Sequence, residues 1–231
     1  MTALAALDRF VPTTASDRRW ILVRQGLFFF FAGLVVVGIF VFSLHPLEAY
    51  LHGASPTDGS LTHRLRNNSD RAGFFFIHIY TGNIALALGT LQVSPLWAAY
   101  PKLHRWLGRS YVLFVLIAVG TSYALSPRLS VYGTELGRQV GATLWGIFTI
   151  LGVIAIRNAD IERHRRWMMR SYAFAYMGIT FMFLSALRSI SGIPLEYGYP
   201  LVIHLSFVVN MTVCEFWLRR SRFEVGQPRR A

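Results

Sequence analysis

The sequence has a single cysteine and few acidic residues, and both shortages exclude classes of function. Cys214 cannot form an internal disulfide, a CxxC redox motif or a thiolate metal site within one chain. Of 11 acidic residues, only Glu215 lies inside a long apolar run, so a carboxylate-bound metal centre is not expected there. The sequence also lacks Walker, HExxH, GxGxxG and nucleophile-elbow motifs, which argues against nucleotide-driven and hydrolytic enzymes.

Charged residues are scarce and unevenly placed. They make up 15% of the chain, against about 25% in an average soluble domain, whereas 54% of the residues are hydrophobic. The apolar residues form runs of about 20, the length that crosses a bilayer core about 30 Å thick. The net charge of +12 does not indicate nucleic-acid binding, because the basic residues flank these runs. The pattern predicts an all-α, polytopic protein whose partner is the lipid bilayer.

Six apolar runs are predicted to be transmembrane helices. In chain order they are residues 21–44, 72–93, 106–126, 138–156, 167–190 and 199–218. Together they define a six-helix transmembrane domain of residues 21–219 that contains an external connection, residues 45–71. A cytoplasmic segment (residues 1–20) precedes this domain, and a basic cytoplasmic tail (residues 220–231) follows it.

The distribution of basic residues predicts the topology. One set of connections, together with both tails, holds 17 of the 23 Lys and Arg residues, and the other set holds six. Because positive charge is retained on the cytoplasmic side during insertion, we expect both termini inside. An odd number of spans would destroy this alternation.

Two of the connections predicted to be cytoplasmic share a motif. HRWLGRSY at residues 104–111 and HRRWMMRSY at residues 164–172 both fit H-x(1–2)-W-x-x-R-S-Y. An internal duplication would relate the two hairpins by a pseudo-two-fold axis along the membrane normal. The second to fifth spans would then form a duplicated four-helix core, flanked by the first and sixth. Alternatively, Trp and Arg at these positions are ordinary interfacial anchors.

The residues that run from His78 through Gly82 and Gln92, followed by the two motifs, resemble a known family. It is the bacterial domain-of-unknown-function 2306 family of predicted membrane proteins, and the resemblance covers roughly residues 75–218. Asn210 and Glu215 stand where that family tends to show an Asn and an acidic residue. The resemblance implies a multi-pass protein of the bacterial inner (cell) membrane and supplies no reaction.

Four histidines are candidate ligands. His104 and His164 would face each other at the inner side of a duplicated core, and His78 and His204 lie near the outer face. This arrangement is similar to transmembrane cytochromes b of the ascorbate-reducible type, which implies b-type haem on paired histidines. The fit has gaps, because the symmetry mate of His78 falls near Ala142 and His204 would have to replace that ligand. His104 and His164 also sit at the mouths of their helices, where interfacial residues are common.

Two arginines complete the candidate site. Arg109 and Arg170 are expected to be partners for haem propionates or for a quinone head group. No residue is assigned a catalytic role. The first function hypothesis is therefore an electron-transfer protein that binds b-type haem or is linked to quinone, with a redox protein as a further partner.

The same residues also have structural interpretations. Gly82 and Gly89 share a helix face with His78 and would admit either a flat macrocycle or a neighbouring helix. Glu215 is expected to pair with Arg219, four residues later. The second hypothesis is a non-catalytic small transporter or an accessory subunit of a membrane complex. Its polar residues would form interhelical hydrogen bonds, namely His78, Asn83, Asn210 and Glu215.

Overall fold

The computed structural model describes residues 30, 32–39, 69–93, 100–125 and 134–226, and this part of the chain is all-α, without strands. Six helices follow in chain order: α1 (Ser69–Val93), α2 (Pro101–Leu125), α3 (Glu135–Arg157), α4 (Ile161–Ala175), α5 (Met177–Ile190) and α6 (Leu195–Gly226). Residues 32–39, in the first predicted span, are also helical. The rest of that span lies outside the described residues, as do residues 1–20 and most of the external connection.

Five helices are long and apolar enough to cross a membrane, and they correspond to the second to sixth predicted spans. They are Asp70–Val93, Pro101–Leu125, Glu135–Arg157, Ile161–Ile190 and Tyr197–Arg220. Most of these helices begin before the predicted apolar run; α2, for example, begins at Pro101 rather than at residue 106. Backbone hydrogen bonding continues into the polar flanks, whereas hydropathy reports only the segment that suits hydrocarbon.

The fifth predicted span is not one uninterrupted helix. A turn at Tyr176 divides it into α4 and α5. The start of α4 is fixed locally, because the Asp160 side chain accepts a hydrogen bond from the backbone N–H of Arg163 at 2.9 Å. Ala159 adopts a φ of 58° and reverses the chain between α3 and α4. The connection between these two helices therefore needs only three residues.

The first four helices form a closed ring. α1 packs on α2, α2 on α3, α3 on α4, and α4 on α1, while α6 lies outside against α3, α4 and α5. The centre of the core is formed by Tyr111, Val115 and Ala118 of α2, none of which is more than 1% exposed. Large apolar side chains such as Leu136 and Ile190 point outward, as expected of helices that face lipid.

Candidate functional site

Tyr111 of the first motif and Ser171 of the second motif lie inside the four-helix ring. Tyr111 Oη and Thr149 Oγ1 each lie 2.7 Å from Ser171 Oγ, so these bonds join α2, α3 and α4. Thr149 donates its proton to the carbonyl of Trp145 at 2.8 Å, and it therefore accepts from Ser171, which in turn accepts from Tyr111. Tyr111, Thr149 and Ser171 are at most 1% exposed, and we call them the hydroxyl cluster.

The tyrosine of the second motif is also hydrogen-bonded to a side chain of another helix. Tyr172 Oη lies 2.8 Å from Thr90 Oγ1, and Thr90 donates to the carbonyl of Leu86 at 2.9 Å. A Cβ atom at Gly89 would collide with the ring of Tyr172, so this glycine admits a neighbouring side chain, as the helix-packing interpretation expects. Each motif tyrosine is thus hydrogen-bonded, directly or through Ser171, to a threonine of another helix.

The sequence interpretation missed these threonines. Thr90 and Thr149 are 59 residues apart, close to the spacing of the two motif tryptophans, Trp106 and Trp167, which are 61 residues apart. This similar spacing was the feature of the sequence that could have indicated the two threonines. It is easily overlooked, because threonine is common in apolar helices and its partner is determined by the fold.

The structure brings His104 and His164 to the same end of the ring, on α2 and α4. His164 Nδ1 donates to the carbonyl of Gly152 at 2.8 Å, which leaves Nε2 with a free lone pair in the neutral ring. The backbone carbonyl of His104 accepts from Gln92 at 2.8 Å, whereas its side-chain Nδ1 is buried without a hydrogen-bond partner among the described residues.

His78 and His204 are held by different neighbours. His78 Nδ1 donates to the carbonyl of Ala118 in α2 at 2.8 Å. His204 donates to the carbonyl of Pro200 in its own helix at 2.7 Å. Its ring lies against Gly137 of α3, where an added Cβ would be 2.6 Å from Nε2. Ligation of one haem by this outer pair stays a prediction.

Arg170 is already engaged in an ion pair. Its Nε lies 2.5 Å from Oε1 of Glu215 and its Nη2 lies 3.1 Å from Oε2, so the contact joins α4 to α6. The guanidinium also lies 4.8 Å from the centre of the Trp167 ring. The prediction that Glu215 pairs with Arg219 is wrong, because the planar fork of Arg170 meets both carboxylate oxygens. Arg109 is exposed on α2.

Asn210 connects α6 to both sides of the turn at Tyr176. Its Oδ1 accepts from Thr180 Oγ1 at 2.7 Å in α5, and its Nδ2 donates to the carbonyl of Ala173 in α4 at 3.1 Å. This is the interhelical hydrogen bonding expected of an intramembrane Asn. Within the described part of the chain, no group of three or more His, Cys, Asp or Glu side chains could hold a metal ion.

A family model described as "Predicted membrane protein (DUF2306)" matches residues 75–218. The chain belongs to the DUF2306 family. The match covers more than half of the chain and includes both copies of the motif and the four candidate histidines. No curated protein and no solved structure matches this DUF2306 chain. The geometry of its own residues therefore carries the functional argument.

Proposed function

We propose that this DUF2306 protein transfers electrons in the bacterial inner membrane, with a b-type haem or a quinone held at the inner ends of α2 and α4. The observation that carries the proposal is the buried Nδ1 of His104, which has no hydrogen-bond partner among the described residues and belongs to the same end of the ring as His164. A buried polar atom without a partner costs free energy, and a bound ligand would remove that cost.

The donor chemistry of the inner pair fits two imidazole ligands. His164 donates its Nδ1 proton to the Gly152 carbonyl, the kind of outer bond that fixes the tautomer of a metal-binding histidine. A haem bound in this way would supply one-electron transfer without an open iron position. Arg109 has no ion pair among the described residues and would hold a propionate, whereas Arg170 stays committed to Glu215.

The closed ring of helices also supports the proposed duplication of the second to fifth spans. Each hairpin, α1–α2 and α3–α4, contains a threonine, Thr90 or Thr149, that is hydrogen-bonded to a residue of the second motif in α4. In each case the threonine donates to a carbonyl four residues earlier and accepts a proton from a motif residue of another helix. A pseudo-two-fold axis would relate His104 to His164 in the same way. The charge count supports a cytoplasmic location for this end and for both termini.

A non-catalytic role is the second candidate function, favoured by a specific observation. Asn210, Glu215 and His78 all use their polar atoms in bonds between helices. Polar groups used in this way stabilise a small transporter or an accessory subunit without binding a cofactor.

A reduced-minus-oxidised spectrum of the detergent-purified protein, recorded with and without added haem, separates the two functions. The electron-transfer proposal expects a haem spectrum that is lost in His104→Ala and in His164→Ala. His63→Ala is the matched control, because this histidine belongs to the predicted external connection. No haem signal after supplementation and no quinone-dependent change would overturn the proposal and leave the non-catalytic role.

A further inference from the structure

A groove on α4 is lined by three arginines and one tryptophan. Its volume is about 310 Å³, and its lining residues are Arg163, Arg166, Trp167 and Arg170. These positions follow one another at helical spacings of three, one and three residues, so they share one face of α4. The volume is about ten times that of a water molecule in the liquid, enough for a phosphate with its ester substituents.

The groove carries uncompensated positive charge. Arg163 pairs with Asp160 at 3.1 Å, and Arg170 is committed to Glu215. Arg166, which is half-buried, has no ion pair or hydrogen bond among the described residues. Planar guanidinium groups match phosphate oxygens better than point charges do, because they donate two parallel N–H bonds.

The depth of the groove indicates where the phosphate would come from. Trp167 begins the apolar run of this span, and the arginines before it belong to the polar flank. Tryptophan and basic residues meet the lipid head groups at this boundary. Glu215 and Asp160 each neutralise one arginine, so the groove attracts a single anionic group rather than a polyanion.

We propose that the Arg163–Arg166–Trp167–Arg170 groove binds the phosphate group of an anionic phospholipid, with Arg166 as its principal ligand. Arg166 is the residue to change, because its replacement breaks no ion pair in the described part of the chain. The matched control is Arg157, which is exposed at the end of α3, on the same predicted side and outside the groove.

The test titrates delipidated, detergent-purified protein with phosphatidylglycerol, phosphatidylcholine or inorganic phosphate and follows the shift in Tm. Phosphatidylglycerol is expected to bind more tightly than phosphatidylcholine. Arg166→Gln is expected to weaken its binding about tenfold, as the loss of one charge-assisted hydrogen bond implies. Arg166→Lys keeps the charge without the fork, so its loss is expected to be smaller, and Arg157→Gln should bind like the unmodified protein.

The outcomes distinguish the two sources of phosphate. Binding of phosphatidylglycerol that depends on Arg166 supports the lipid site. If inorganic phosphate binds equally well and with the same dependence on Arg166, the groove is a phosphate site filled from solution, and the lipid source is overturned. Equal titrations for Arg166→Gln, Arg166→Lys and Arg157→Gln would overturn the site itself. The haem spectrum is measured separately, so neither result decides the other.

Discussion

The hydroxyl cluster and the outer end of the ring are bonded in different ways. In the cluster, a chain of hydrogen bonds joins side chains of three helices, from Tyr111 through Ser171 to Thr149. At the outer end, His78 bonds to a backbone carbonyl of α2. The Nε and Nη2 atoms of Arg138 are buried there without a hydrogen-bond partner among the described residues. Among the described residues, every hydroxyl of the cluster thus has a hydrogen-bond partner, whereas these two nitrogens of Arg138 have none.

The side chains of the hydroxyl cluster bond to one another, whereas the outer end contains a guanidinium with two unbonded nitrogens. A network whose members satisfy one another rigidifies the bundle around it. His104 and His164 lie at the mouths of helices held by such a network, which would keep a ligand pair in a constant geometry. Measurements of the stability of variants in detergent test this contrast.

The largest expected effect is at the ion pair between Arg170 and Glu215, which joins α4 to α6 at the motif-bearing end. Glu215→Gln leaves Arg170 without its carboxylate and should cost roughly 2 kcal/mol, less than the 3–5 kcal/mol of a fully buried pair. Glu215 is 34% exposed, which explains the reduction. Thermal unfolding measures the loss, and Arg219→Gln is the control expected to change nothing. An equal loss in Arg219→Gln would indicate that Glu215 pairs with Arg219 within α6.

Two glycines of α1 provide the next test. Gly89→Ala places a Cβ against the ring of Tyr172, whereas nothing lies within 4 Å of a Cβ at Gly82. Overpacking should destabilise Gly89→Ala by roughly 1–2 kcal/mol. Gly82→Ala should be neutral or stabilise by up to about 1 kcal/mol, because alanine favours the helix. Equal Tm values for the two variants would contradict the close packing of Tyr172.

Much of this fold could be predicted from hydropathy, and the differences between the predicted and the observed helices have physical causes. A run of about 20 apolar residues is recognisable without knowledge of its partners, and five of the six predicted runs correspond to helices long and apolar enough to cross a membrane. The turn at Tyr176 was not, because it lies within an apolar run without proline. Its position is accompanied by bonds from Asn210 to Ala173 and Thr180, which only the packed structure brings together.

The candidate site was less predictable, because its contacts are tertiary. The motif located His104 and His164 at one end of the bundle, and the structure has them near the first residues of α2 and α4. The spacing rule for helices favoured Arg219 as the partner of Glu215, yet Arg170 of another helix occupies that carboxylate. A rule based on spacing within one helix does not consider a competing residue 45 positions away in the chain.

A smaller effect is expected within the hydroxyl cluster. Ser171→Ala removes two hydrogen bonds and leaves Tyr111 without its acceptor. Side-chain hydrogen bonds inside membranes average about 0.6 kcal/mol, so the loss should be about 1 kcal/mol. Ser206→Ala is the matched control, because among the described residues this equally buried serine bonds only to the Val202 carbonyl of its own helix. Equal unfolding temperatures for the two variants would show that the cluster adds nothing to stability.

The smallest effect is expected at Arg138, on the outer end. Arg138→Met removes a guanidinium whose buried Nε and Nη2 have no hydrogen-bond partner among the described residues. Because these two nitrogens form no hydrogen bond, replacing the guanidinium by an apolar side chain should leave stability within about 0.5 kcal/mol or raise it.

The matched control for that variant is Arg71→Met at the same end. Arg71 Nη1 donates to the Ala124 carbonyl at 2.7 Å, and the side chain pairs with Asp70 at 3.3 Å. Its replacement should therefore cost about 1 kcal/mol, the ordinary value of a hydrogen bond. Should Arg138→Met lower the unfolding temperature as much as Arg71→Met does, Arg138 would have a stabilising partner. The outer end would then be as fully bonded as the hydroxyl cluster, and the contrast between the two ends would fail.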